Sequence, residues 1–114
     1  MALALRAVGM TAVIAVTATV SASVVVGGDV TDACVFAAFL NTGATDITVA
    51  LSSNSMATAT AAVLPTAGVP TGTIVLPHAM TAPVAFAIPG CPFKVTAIGS
   101  AAGPGNLFIT PCEV

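Results

Sequence analysis

Charge is the scarcest ingredient of this chain: charged residues make up 5% of its 114 positions, where an ordinary soluble domain carries roughly 25%. The only basic side chains are Arg6 and Lys94, and there is no Tyr or Trp. Such a chain can neither neutralise a phosphate backbone nor stack on bases, so nucleic acid is excluded as a partner. Gln is absent, and Glu113, Lys94 and Arg6 are single representatives of the residues that clothe the wet face of a helix, so a helical domain is excluded too. Acid–base chemistry has little to work with, since His78 is the lone histidine and Asp29, Asp32, Asp46 and Glu113 are the only acids.

What is present is small and strand-forming. Ala, Val and Thr number 24, 16 and 15, and the last two favour extended backbone. One domain spanning 1–114 fits the length. No linker, charge run or internal repeat divides it. A folded monomer of 11.0 kDa exposes roughly 5,600 Å². A net charge of -2 leaves that area largely to Ala, Val, Thr and Ser, a surface that favours association.

Residues 7–28 are uncharged and include Ser21-Ala22-Ser23, a cleavage-like site, so a signal peptide or a membrane span has to be weighed. Against both stands the alternation of Val16, Ala18, Val20, Ala22 and Val24 with Thr17, Thr19, Ser21 and Ser23, which reads as a strand. The segment also lacks Leu and Phe, which makes it a poor lipid-facing helix. The strand is the preferred reading, with no membrane contact. Before it, residues 1–9 carry Leu3, Leu5 and Val8 with Arg6 as the one charge, and suggest an arm that contacts a partner subunit.

Beyond Gly27-Gly28-Asp29, the run Cys34–Leu40 is apolar on both faces and predicts a central, covered strand. Asn41–Asp46 turns the chain into a strand over Ile47–Leu51, the two forming a hairpin with a longer loop. Ser52–Thr60 reads as a surface loop and Ala61–Leu64 as a short strand. Thr73–Leu76, Val84–Ile88, Phe93–Ala97 and Leu107–Thr110 supply the rest. The 8 Pro residues fall mostly at run boundaries. About seven or eight short strands predict an all-β, two-layer antiparallel β-sandwich, a jelly roll being one form it can take. Its expected core is Phe36, Leu40, Ile47, Val49, Leu51, Val84, Phe86, Ile88, Phe93, Val95, Leu107 and Ile109.

No catalytic, cofactor or metal site is expected. Asp29 and Asp32 read as turn caps and His78 as a loop histidine. Cys34, Cys91 and Cys112 contain no C-x-x-C spacing, and with His78 they would all have to converge to hold zinc. Their odd number argues against a disulfide framework. Cys34 reads as a buried small hydrophobe, while Cys91 and Cys112 flank the last strands and have the chance to approach each other; in a reducing cytosol all three stay free thiols.

The stretch Cys34-Val-Phe-Ala-Ala-Phe-Leu-Asn-Thr-Gly-Ala-Thr-Asp-Ile-Thr-Val-Ala-Leu51 resembles the strand, N-x-G turn and strand of small head-associated virion proteins of tailed bacteriophages. Ile74-Val-Leu-Pro77 and Val95–Pro111, with its Gly-rich turn and Leu107-Phe-Ile-Thr-Pro111 ending, resemble the closing part of the same group. Pro89-Gly90-Cys91-Pro92 and the cysteines fall outside that pattern. The resemblance implies a decoration or cement protein, assembled in the host cytoplasm on the outer surface of the capsid, with the major capsid protein as partner and self-association into homo-oligomers. It implies no enzyme activity. The alternative is a secreted or cell-surface β-structural protein with an N-terminal signal peptide.

Overall fold

A computed structural model describes residues 6–30, 34–68, 73–101 and 105–113. Among them the chain forms strands only: β1 (Arg6–Ala7), β2 (Ala12–Ala15), β3 (Val24–Val26), β4 (Phe36–Asn41), β5 (Ile47–Ser53), β6 (Ile74–Leu76), β7 (Val84–Ala87), β8 (Phe93–Gly99) and β9 (Asn106–Glu113). In the first sheet β9 lies between β4 and the β1/β2 edge, with β7 beyond β4; the second runs β3-β8-β5-β6. Every pairing is antiparallel.

The pairing has a simple logic. β2 pairs with β9, β3 with β8, β4 with β7 and β5 with β6. The chain is thus a long double strip that turns back between β5 and β6 and rolls up, closing through β4–β9 and β5–β8. That is a jelly roll, the β-sandwich expected from the sequence in its doubly rolled form. Its core lies between the sheets, built from Phe39, Ile47, Val49, Leu76, Phe93, Val95, Leu107 and Ile109 with smaller neighbours. Phe86 packs against it, its ring meeting that of Phe39 edge-on at 5.6 Å and 65°.

Several local expectations are corrected. Residues 16–23 are not a strand: the chain crosses there from the first sheet to the second, and β3 begins only at Val24. The Thr17 hydroxyl bonds the backbone of Thr19, a local turn that competes with ladder pairing. The crossing hugs β8 through Gly99 N–H to Thr17 O (2.7 Å) and Ser21 N–H to Ala97 O (2.8 Å). Nor do β4 and β5 form a hairpin, because the Asn41–Asp46 turn carries the chain between sheets, where each strand already has two other partners. Ala61–Leu64 forms no strand, and β9 runs on through Pro111 to Glu113. Pro111 is tolerated because its carbonyl accepts from Val8 N–H (2.9 Å), so its missing donor faces the break between β1 and β2.

The core prediction fails mainly in β4. Ala37, Phe39 and Asn41 point inward, whereas Phe36 and Leu40 lie on the outer face and are half-buried; β4 is therefore not covered on both sides. A run apolar on both faces carries no phase of its own, and a shift of one residue exchanges the two sets. Asn41 settles it. Its amide is fully buried and donates to Thr45 O, Leu76 O and Pro77 O at 3.0–3.3 Å, while its oxygen accepts from Gly43 N–H at 3.0 Å. Val84, also expected inside, is exposed on the edge strand β7.

Candidate interaction surface

The two sheets treat their outer faces differently. On the second sheet Thr48, Ala50, Ser52 and Thr96 point away from the core, yet all are buried. The segment 54–62 covers them. Ser52 Oγ accepts from Thr60 N–H (2.7 Å), Thr96 Oγ1 donates to Thr60 O (2.7 Å) and the Lys94 ammonium donates to Met56 O (2.6 Å). Ala62, buried in turn, extends the cover. The sequence marked this stretch as a surface loop; it covers the middle of the sheet, while Val25 and Val75 on the flanking strands stay exposed.

Among the described residues no segment covers the outer face of the first sheet. Across the register Val13 stands opposite Phe108 and Phe108 opposite Leu40. In the next row Thr110 meets Ala38 and Ala38 meets Ala85; then come Cys112, Phe36 and Ala87. Val13 is 53% exposed, and Phe36, Ala38, Leu40, Phe108 and Thr110 all keep accessible surface. A groove of about 370 Å³ lies on this face, lined by Ala38, Leu40, Pro83, Ala85, Phe108, Thr110 and Cys112, with Thr110 the one hydroxyl among them. The Thr110 hydroxyl is itself bonded to that of Thr11 at 2.7 Å. Sequence reasoning missed this surface, although the apolar two-faced runs Phe36–Leu40 and Leu107–Ile109 were its signal: one face of each makes the core and the other needs a different cover.

Charges do not mark a site. Each charged side chain among the described residues has a partner within the chain: Arg6 with Glu113, Asp29 with Met10 N–H (3.0 Å), Asp46 with His78, and Lys94 with Met56 O. Asp32 lies outside the described residues; Asp29 ties down the turn before β2. His78 and Asp46 form an exposed pair, Nδ1 to Oδ1 at 2.8 Å, with His78 N–H on the same oxygen at 3.0 Å. These hydrogen bonds hold the Asp46 carboxyl below its ordinary range. Among the described residues no three His, Cys, Asp or Glu side chains gather as metal ligands.

Cys34, Cys91 and Cys112 are all free thiols. Cys34 is buried immediately before β4, and its thiol donates to Phe36 O (3.2 Å) and Cys112 O (3.1 Å). Burial pushes the Cys91 thiol up to about 12, helped by the hydrogen bond and charge repulsion from Cys34. Burial likewise raises Cys112, which lies next to Phe36 in the register.

Of the expected arm, residues 1–5 lie outside the described residues. Arg6 and Ala7 pair with Glu113 and Cys112 of the chain's own β9. Compared with protein-family models, curated proteins and solved structures, the chain matches none.

Proposed function

We propose that this chain is a structural subunit, held in a larger assembly by the open outer face of the β2-β9-β4-β7 sheet. One observation carries the reading: among the described residues, segment 54–62 covers the middle strands β5 and β8 of one sheet, while β4 and β9 in the middle of the other present an apolar face with no such cover. With the charges among the described residues already bonded within the chain, the molecule offers buried area as its means of recognition.

The assembly proposed is a phage capsid shell, and the partner its major capsid protein. Short motifs spread from Cys34 to Pro111 support this, and jelly rolls are common in capsid proteins, although a fold alone assigns no function. Strand and row spacings put the open face at about 500 Å², below the roughly 800 Å² per partner of a standard stable interface. One copy on one subunit would bind weakly. A repeating shell, or homo-oligomers that engage several sites together, makes up the difference through effective concentration. The alternative remains a secreted or cell-surface protein that uses the same face for lateral packing.

The test mixes purified chain with shells assembled from the major capsid protein alone and counts bound copies by electron microscopy. Saturable, regularly spaced density supports the proposal. Absence of binding, with natural material beginning near Ser23 or Val24, would favour the secreted alternative.

A further inference from the structure

The first sheet ends at β7, which pairs with β4 on one side. Among the described residues nothing pairs with its other side. Ile88 N–H donates to Val35 O at 2.9 Å, directly across the extended register. Antiparallel ladders alternate, so Val84, Phe86 and Ile88 turn their backbone groups toward β4, while Ala85 and Ala87 turn theirs toward the open edge. Both alanines are exposed and bring neither bulk nor charge to that edge. The other edges are poorer templates: β3 and β6 have 3 residues each, and the β1/β2 edge carries Arg6 and is interrupted after Ala7. The sequence around β7 also runs almost the same in both directions, Pro83-Val84-Ala85-Phe86-Ala87-Ile88-Pro89. Two such strands, antiparallel about a two-fold axis at Phe86, set every residue opposite its like.

We infer that β7 pairs edge to edge with β7 of a second copy of this chain, about a two-fold axis through Phe86. Ala85 and the partner's Ala87 exchange main-chain hydrogen bonds, and the symmetry repeats the exchange. The two Phe86 rings meet on the inner side of the joint, at a position without hydrogen bonds where facing side chains come closest. Val84, 43% exposed in the single chain, is covered by the partner's Ile88. Pro83 falls opposite the partner's Pro89, and the ladder stops there because neither has an N–H. Proline at an edge ordinarily discourages pairing; here the two prolines bracket Val84–Ile88 and fix the register. A slip by two residues sets a proline against Ala85 or Ala87 and loses donors. The joint uses up the edge it is made from, so it closes as a dimer and does not propagate. A two-fold joint of this kind keeps both outer faces on one side. Two open faces of about 500 Å² then merge into about 1,000 Å², past the roughly 800 Å² that a single copy falls short of. The pairing stands on β7 itself; what the merged face attaches to rests on the subunit role proposed for the chain.

The experiment uses the full chain without shells. Sedimentation between about 10 μM and about 1 mM should show a reversible monomer–dimer equilibrium with no larger species. Amide hydrogen exchange followed by NMR at the two ends of that range should show Ala85 and Ala87 slowed several-fold in the concentrated sample, with the amides of β2 unchanged. Ala87→Pro removes an outward donor from each copy and leaves the bonds to β4 alone, so it should weaken the dimer roughly tenfold. A chain that stays monomeric throughout, a dimer whose Ala85 and Ala87 amides remain unprotected, or one that Ala87→Pro leaves unchanged would overturn the pairing. The exchange measurement needs no variant, so it decides the matter even if Ala87→Pro does not fold. Dimers protected at Ala85 and Ala87 that leave shells empty would uphold the pairing and count against the attachment alone.

Discussion

Phe39 and Phe36 stand on opposite faces of β4, and removing each ring in turn tests where the core lies. Phe39 is 1% exposed, between the sheets, with Ile109 and Val84 opposite it in the register and Phe86 edge-on. Phe39→Ala loses the transfer energy of a buried ring and leaves a cavity that the flanking strands cannot fill, about 3–5 kcal/mol together. Part of that, about 0.5–1.5 kcal/mol, is the aromatic pair with Phe86. Phe36→Ala removes a ring that still touches solvent, and should cost roughly 1–1.5 kcal/mol. For a chain of this length a loss of about 4 kcal/mol lowers the melting temperature by about 15 °C, and the smaller loss by about 5 °C. Urea titration followed by circular dichroism measures both. Equal losses, or a larger one for Phe36→Ala, would show that β4 is set one residue out of the phase described here.

Asn41→Ala should cost roughly 2–4 kcal/mol by urea titration, because it strips the buried Leu76 carbonyl, and the Pro77 carbonyl beside it, of their donor; a loss under about 1 kcal/mol would show that water replaces the amide. Asn41→Asp should be no better, since a carboxylate would face those same oxygens. Asp46 has its folded pKa lowered by His78, so its contribution to stability is present above the ordinary carboxylate pKa and is lost as pH falls through the lowered value. Carbon-detected NMR titration should place the Asp46 midpoint below that of an unstructured aspartate, and Asp46→Asn should flatten the acid limb of the stability curve; a midpoint at or above the ordinary value contradicts the pairing.

The architecture was legible because Val/Thr alternation and regularly spaced turn residues leave no helical stripe, and because strands such as Phe93–Gly99 alternate apolar with polar residues. Phe93, Val95 and Ala97 are inside as that alternation requires. Phase was lost wherever both faces are apolar, as in Phe36–Leu40, where pairing partners and the buried amide of Asn41 decide the outcome. The crossing at 16–23 misled for the opposite reason: its alternation is clean, but Thr17 turns the backbone locally and the chain changes sheets. The candidate surface was invisible as a motif, since it is made of rows across strands far apart in sequence, and only the register brings Val13, Phe108 and Leu40 together.

Two exposed valines on opposite faces allow a matched comparison of the proposed attachment. Val13 lies on the open face at 53% exposure and Val25 on the outer side of the other sheet at 51%. A single Glu at either position projects into solvent and should leave the melting temperature within about 2 °C of wild type. Added to shells that lack this component, Val25→Glu should fill its sites as the wild type does. Val13→Glu should lose at least tenfold in apparent affinity, since docking would bury an unpaired carboxylate against Phe108 and Leu40. Equal occupancy by the two variants, or loss confined to Val25→Glu, would contradict attachment through the open face.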